Sequence, residues 1–271
     1  MYRSEYPDSH YRTQQIIEQH LIPFFQFYPL DFIKIRIAEE YKTGRLNGTI
    51  PPNNKKIPKR ATVAKELRTL KAMLNKAVYW EYIDFNPIQM LSVPKSFDSK
   101  APRFYLAEEM EKIYQFAPYN WWYWKFYANT GVRLKESLQI HTRKHIGKES
   151  MKVESTEGNR TKSGKWRDIP LNESSLMSIE RFNAKGGDLF PRVNPKSLSR
   201  AFSRVIHRSG IEEPFGSLHC LRHTYISHQV MNGKPLRLVQ QLAGHAHITT
   251  TEKYAHLAPD YINEMGGMIN L

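Results

Sequence analysis

Apolar residues recur at three- and four-residue spacing through much of this chain, a period that predicts helices rather than strands. The clearest case is RATVAKELRTLKAMLNKAVYW, residues 60–80. Val63, Leu67, Leu70, Leu74, Ala77 and Val78 fall on one stripe. Arg60, Lys65, Arg68, Lys71 and Lys76 lie largely off it. Their face is either simply solvated or built to follow a phosphate backbone. Upstream, DFIKIRIAEEYKTGRLNG predicts a helix opened by Asp31 as N-cap and stopped by Gly48. Asn86-Pro87 marks a turn. The first ninety-two residues read as helical.

The stretch SVPKSFDSKAPRF, residues 92–104, breaks this pattern with prolines, serines and basic residues, the composition of a linker. The domain reading is 1–92, a linker at 93–104, and 105–271. The second part is mixed. LAEEMEKIYQF and NWWYWKFYANT predict helices, and the run Trp121, Trp122, Tyr123, Trp124 is apolar enough to require burial. MKVES and WRDIPL flank the polar turn STEGNRTKSGK, which predicts a β-hairpin with a basic tip. Helical periodicity resumes at 195–208, 218–231 and 234–242. There is no internal repeat.

Composition narrows the class of partner. The 271 residues hold 40 Lys plus Arg against 26 Asp plus Glu, a formal net charge of +14. The excess is spread, with 16 basic and 10 acidic side chains in residues 1–100. That distribution points to two basic folded regions rather than a basic tail. A polyanion such as DNA or RNA is the natural partner, although charge alone fits an ordinary basic protein equally well. No apolar run is long enough to cross a bilayer, and the N-terminus lacks the apolar core of a secretory signal. The single cysteine, Cys220, excludes an intrachain disulfide and fits a reducing compartment such as the cytoplasm.

Four separated motifs carry candidate chemistry. TGVRLKESL places Arg133 and Glu136 three apart. RTKSGKWRDIPL carries Lys162 on the hairpin, with Lys165 close by. LHCLRHTYISH places His219 and Arg222 on one helix face. GHAHITTTEKYAH sets Tyr254 nine residues after His245. In this order and spacing the motifs resemble the tyrosine recombinase family, which includes phage integrases and Xer-type resolvases. The resemblance is strong over 105–260 and weaker over 30–92.

The resemblance implies a mainly α fold. It comprises an all-helical, SAM-like core-binding domain and a mixed catalytic domain with helices around a small antiparallel sheet, closing as a C-shaped clamp on duplex DNA. It implies that Tyr254 attacks phosphorus and forms a 3′-phosphotyrosine, and that Lys162 protonates the leaving 5′-oxygen, with Lys165 as competitor. His219 would be the acid–base or phosphate-positioning histidine and His245 a second hydrogen-bond donor, while Glu136 would be structural, orienting or pairing with an arginine. It further implies a monomer when free, four copies on two DNA duplexes, and accessory DNA-bending proteins. The family's heterobivalent members carry a further arm-binding domain before the core-binding one. The chain leaves no room for it, so it is expected to be a two-domain enzyme or a truncated one.

The residue chemistry agrees. Attack at a phosphodiester concentrates negative charge on the equatorial oxygens, so fixed cations are needed there. Arg133 and Arg222 suit that task, because a guanidinium is a permanently charged planar fork; the plainer reading of Arg133 is an ion pair with Glu136. A phenol has an ordinary pKa of about 10 and needs help to ionise. Arg60, Lys65, Arg68, Lys71 and Lys165 are the expected DNA contacts. A covalent phosphotyrosine keeps the phosphodiester's energy, so no ATP, metal or other cofactor is expected, and no Walker-type loop is present. His219 and His223 have a zinc-compatible spacing, but Arg222 beside them disfavours a cation. After Tyr254, Tyr261, Ile262, Met265 and Met268 could pack on a neighbouring subunit or on their own domain. Two alternatives use parts of the same pattern: a type IB topoisomerase-like nicking enzyme, and a non-catalytic DNA-binding regulator.

Overall fold

The computed structural model describes residues 7–50, 57–95, 101–154, 166–182, 189–190 and 193–259. The hairpin tip with Lys162 and Lys165, part of the expected linker, and the tail with Tyr261, Ile262, Met265 and Met268 lie outside them. The chain divides into two compact units, Met1–Ser99 and Lys100–Leu271. Among the described residues no helix is long and apolar enough to cross a membrane.

The N-terminal unit is helical. It runs α1 (Pro7–Ile16), a π-helical turn (Ile17–Leu21), α2 (Ile22–Phe25), α3 (Ile35–Asn47) and α4 (Arg60–Tyr79). The expected stripe of α4 is its buried face: Val63, Leu67, Leu70, Leu74 and Ala77 are all buried. They meet Ile16, Leu21, Phe25, Ile33, Ala38 and Tyr41 in one core. Asp31 does not cap α3. It lies in a 3-10 turn, Leu30–Phe32, and α3 starts only after Lys34. Ile33 is buried in the core, and its anchoring separates that turn from the helix. Gly48 does end α3, in the left-handed conformation at φ 86°.

Two polar features hold this unit together. Asn86 ties the turn after α4 to the helix: its Nδ2 donates to Lys71 O at 3.1 Å and its Oδ1 accepts from Ile88 N at 3.0 Å. Lys71 completes the tie by donating to Gln89 O and Leu91 O at 2.9 and 2.8 Å. Its ammonium, expected on DNA, thus also bonds the turn. Lys65 and Arg68 are exposed on the same helix. Inside the core, Glu66 is fully buried. It accepts from Arg45 at 2.7 and 3.0 Å and from the Tyr41 hydroxyl at 2.8 Å. Burial, then the neighbouring carboxylate, pushes the Tyr41 hydroxyl well above the usual phenol range.

The second unit contains α5 (Ala107–Gln115), α6 (Trp121–Thr130), α7 (Leu134–Ser137), α8 (Thr142–His145), β1 (Ser150–Val153), β2 (Arg167–Pro170), α9 (Glu173–Phe182), α10 (Pro195–Arg208), α11 (Cys220–Met231) and α12 (Leu236–Ala243). Two 3-10 segments follow, Ile248–Thr250 and Glu252–Leu257. The mainly α architecture with one small antiparallel sheet is the expected one. The aromatic run of α6 is core: Trp124 and Phe126 are fully buried, and Phe182, Phe190 and Phe202 pack against them. β1 and β2 pair antiparallel, Met151 opposite Ile169 and Val153 opposite Arg167. Period-two alternation turns these four side chains inward. Asn194 caps α10 by accepting from Lys196 N at 2.9 Å, with Pro195 at the first position.

Removing the carboxylate of Glu66 leaves a guanidinium buried without a counter-charge. Glu66→Ala is expected to destabilise the N-terminal unit by about 3–5 kcal/mol in urea unfolding. The double replacement Arg45→Met with Glu66→Leu should recover most of that loss. A silent Glu66→Ala would contradict the structural role of the triad.

Candidate active site

Four stretches of the second unit converge on the C-terminal end of α12. The last carbonyls of a helix have no partner within it and carry partial negative charge. Here arginines from three other elements take them. Arg167, on β2, donates from Nε to Leu242 O at 3.0 Å. Arg222, on α11, donates from Nη2 to Ala243 O. Arg133, at the start of α7, donates from Nη2 to Gly244 O at 3.0 Å.

Two glycines make this approach feasible. Gly131 ends α6 at φ 61°, and a Cβ there would lie 2.3 Å from the Tyr225 ring. Its carbonyl accepts from Arg222 Nη1 at 2.7 Å. Gly244 ends α12 at φ 66°, and a Cβ there would lie 2.7 Å from Arg167 Nη1. Both positions need the left-handed conformation and the missing side chain together.

One carboxylate organises the cluster. Glu136 accepts from Arg133 Nη1 at 2.5 Å, from Arg167 Nη2 at 2.7 Å and from the Arg133 backbone N–H at 3.1 Å. Burial opposes its charge, but Arg167 and Arg133 prevail and hold its pKa down at about 2. Three guanidiniums against one carboxylate leave the site positive. The cost falls on Arg222, whose pKa is pushed down to about 9 by burial and then by Arg133 and Arg167. A cleft beside the cluster is lined by Trp166, Arg167, Arg237, Gly244 and His245.

The segment 245–254 explains the nine-residue spacing. Gln240 Nε2 donates to His245 O at 3.1 Å, which holds the histidine against α12. The chain then winds through the two 3-10 segments, with buried Thr251 between them. His245 Nδ1 lies 2.9 Å from Thr251 Oγ1, and Tyr254 N donates to Thr251 O at 2.9 Å. Tyr254 thus returns toward α11 and is 2% exposed. Its ring packs with Tyr225, Ile226, Val230, Val239, Leu242 and Ala243. Burial pushes its hydroxyl up to about 12, with Arg222 pulling the other way. Burial and the surrounding arginines push His245 down to about 3.

The structure brings Arg133, Glu136, Arg222, His245 and Tyr254 together, with His219 exposed at the N-terminal end of α11. Lys162 and Lys165 fall outside the described residues. Sequence reasoning missed Arg167. Its one signal is the strand alternation, which puts an arginine on the inward face beside Ile169. It also missed His223 as the hydrogen-bond partner of Tyr254. Among the described residues no group of three or more His, Cys, Asp and Glu could hold a metal ion. Cys220 is buried, with its Sγ on Arg103 O at 2.7 Å.

Residues 103–260 match the model of the phage integrase family. The integrase of Escherichia phage 186 is 32% identical over 136 residues, which cover 50% of this chain and 37% of that protein. Tyrosine recombinase XerC of Anoxybacillus flavithermus is 25% identical over 268 residues, covering 88% of this chain and 85% of that one. The structure of the Tn1549 transposon integrase in complex with transposon right end DNA shares the fold. Its TM-score is 0.74 at 19% identity, over 98% of this chain and 95% of that one.

Glu136→Gln leaves three guanidiniums with no counter-charge and is expected to cost about 3 kcal/mol at neutral pH, the free energy of the carboxylate's shift. Its pKa is depressed in the fold, so its contribution is present above the unfolded value and is lost as pH falls through the folded value. The stability gap between parent and variant should therefore be full above about pH 5 and shrink toward pH 2. A gap independent of pH in urea unfolding would place the effect elsewhere.

Proposed function

This chain belongs to the phage integrase family, and we propose that it is a site-specific DNA recombinase that cuts and rejoins strands through a covalent 3′-phosphotyrosine, without metal or ATP. One observation carries this reading: a cluster of three guanidiniums with only one carboxylate, packed beside a buried tyrosine. A phosphodiester approaching Tyr254 meets fixed positive charge where the pentacoordinate state becomes most negative. No reorganisation is needed, because helix-end carbonyls and Glu136 already hold the guanidiniums.

The roles follow from the donors available. Arg133 and Arg222 grip the non-bridging oxygens. A guanidinium has five N–H donors, so bonds to protein carbonyls and to a phosphate are compatible. Tyr254 Oη attacks phosphorus, and the 5′-oxygen leaves with a proton from Lys162, or from Lys165. His219 and His245 donate to the phosphate. Glu136 and Arg167 position Arg133. Complete exchange between two duplexes cuts four strands, and each chain offers one such tyrosine, so four copies assemble on DNA.

Two exposed basic faces support DNA binding. Lys65 and Arg68 lie on α4. Lys196, Arg200 and Arg204 recur every four residues on the exposed side of α10, while Leu198, Phe202 and Ile206 face the core. Ser197, Ser203 and His207 line the same groove as Arg200 and Arg204. The spacing suits successive phosphates rather than base edges.

The reading is tested by covalent capture. Nicked duplexes from a randomised pool are incubated with the protein in EDTA, and DNA that stays attached under denaturing conditions is recovered. The parent should capture a defined sequence, and Tyr254→Phe should capture none while binding it with similar affinity. Capture by Tyr254→Phe would sink the assignment. On the captured sequence, Arg200→Glu with Arg204→Glu should weaken binding and lower the slope of log K against log salt by about 2. An unchanged slope would remove α10 from the interface.

A further inference from the structure

The resemblance makes His219 an acid–base or phosphate-positioning group, and the phosphate role given to it above leaves the tyrosine's proton to another acceptor. Arg133, Arg167 and Arg222 are guanidiniums, which donate and have no lone pair to receive it. His245 has its Nδ1 on Thr251 Oγ1. Lys162 is assigned to the leaving oxygen. His223 stands apart from these, because its Nδ1 is in direct hydrogen-bond contact with Tyr254 Oη.

We propose that His223 is the catalytic base of the cleavage step, taking the proton of Tyr254 as its oxygen attacks phosphorus; this rests on the reading of Tyr254 as the nucleophile. The two rings face each other at 6.0 Å between centroids, tilted by 33°. His219, the N-cap residue of α11, packs edge-on against His223 at 4.9 Å and 85°. That contact limits the tilt of the ring and keeps Nδ1 aimed at the hydroxyl. Arg222 and His223 are neighbours on one helix and so point about 100° apart. One reaches the end of α12 and the other the tyrosine, so a single turn of α11 supplies both a cation for the phosphate and a base for the nucleophile.

The surrounding charge selects the protonation state. Burial, then His219, Arg222 and Lys253, pushes His223 down to about 4. The imidazole is therefore neutral at working pH. A phenol that donates to Nδ1 fixes the remaining ring proton on Nε2. The step balances without a co-reactant. The Oη–P bond forms, the P–O5′ bond breaks, the phenolic proton moves to Nδ1, and the leaving oxygen is protonated by the hairpin lysine. The phenol becomes acidic as its oxygen bonds to phosphorus, so a weak base suffices at that moment. The phosphate's negative charge beside the ring strengthens that base. Religation runs the same path backwards, with the imidazolium returning the proton to Tyr254.

The test compares parent, His223→Asn and His223→Ala on a duplex captured by the parent. One set carries the natural phosphodiester, and the other carries sulfur in place of the bridging 5′-oxygen. A thiolate leaves without being protonated, so the sulfur substrate removes the need for an acid but not for a base. His223→Asn should form adduct about 100-fold more slowly on both substrates, with DNA binding unchanged. Added imidazole should accelerate His223→Ala and leave the parent alone, a response a merely structural histidine would not produce. Adduct at the parental rate or faster in His223→Asn would overturn the proposal. So would a deficit that vanishes on the sulfur substrate, which would make His223 an aid to the leaving group. No adduct from the parent itself would overturn the nucleophile reading, and this proposal with it.

Discussion

The second unit depends on how one helix ends. α12 stops with carbonyls that its own backbone cannot satisfy, and guanidiniums from β2, α11 and the α6–α7 turn satisfy them. Each such bond to a charged donor contributes about 1.5–3 kcal/mol. Their value for function lies in geometry. Three elements distant in sequence are pinned to one point, with their positive charge already in place. Gly131 and Gly244 are the backbone conditions for this meeting, since each supplies a left-handed turn where a Cβ would collide.

The charge imbalance has consequences on both sides of the cluster. Glu136 is held ionised far below its ordinary range, and Arg222 is held in an environment that disfavours its charge. An anion at the site would favour the charge of Arg222. His223 and His245 are kept neutral first by burial and then by neighbouring positive charge, so they act as hydrogen-bonding groups rather than further cations. Tyr254 rests as a neutral phenol inside an apolar cluster, with its hydroxyl on His223. Fixed cations, a sheltered tyrosine and a neutral imidazole are complementary parts of one electrostatic arrangement.

Much of this was legible before any coordinates. The α4 stripe, the aromatic core helix, the hairpin strands and the four motifs follow from period, composition and order. What eluded the sequence shares a cause. Asp31 has the chemistry of a cap, but buried Ile33 breaks the chain between it and α3. Lys71 has the charge of a DNA contact, and its bonds to two carbonyls after α4 were not legible. Arg167 looks like a surface charge in WRDIPL until the strand register turns it inward. Glu66 sits one position from the apolar stripe and is nevertheless buried, because Arg45 and Tyr41 on α3 provide partners.

By itself the sequence determined which residue types were available and in what order, because local period and motif spacing are properties of neighbouring positions. It placed Arg133, His219, Arg222, His245 and Tyr254 on named elements. Only the tertiary structure decided which polar atoms meet. The pairing of Arg167 with Glu136, the three arginines at the end of α12 and the contact of His223 with Tyr254 are long-range hydrogen bonds. Each depends on the packing of separate elements, since a hydrogen bond is made or lost within a few tenths of an ångström, a distance that sequence spacing does not encode.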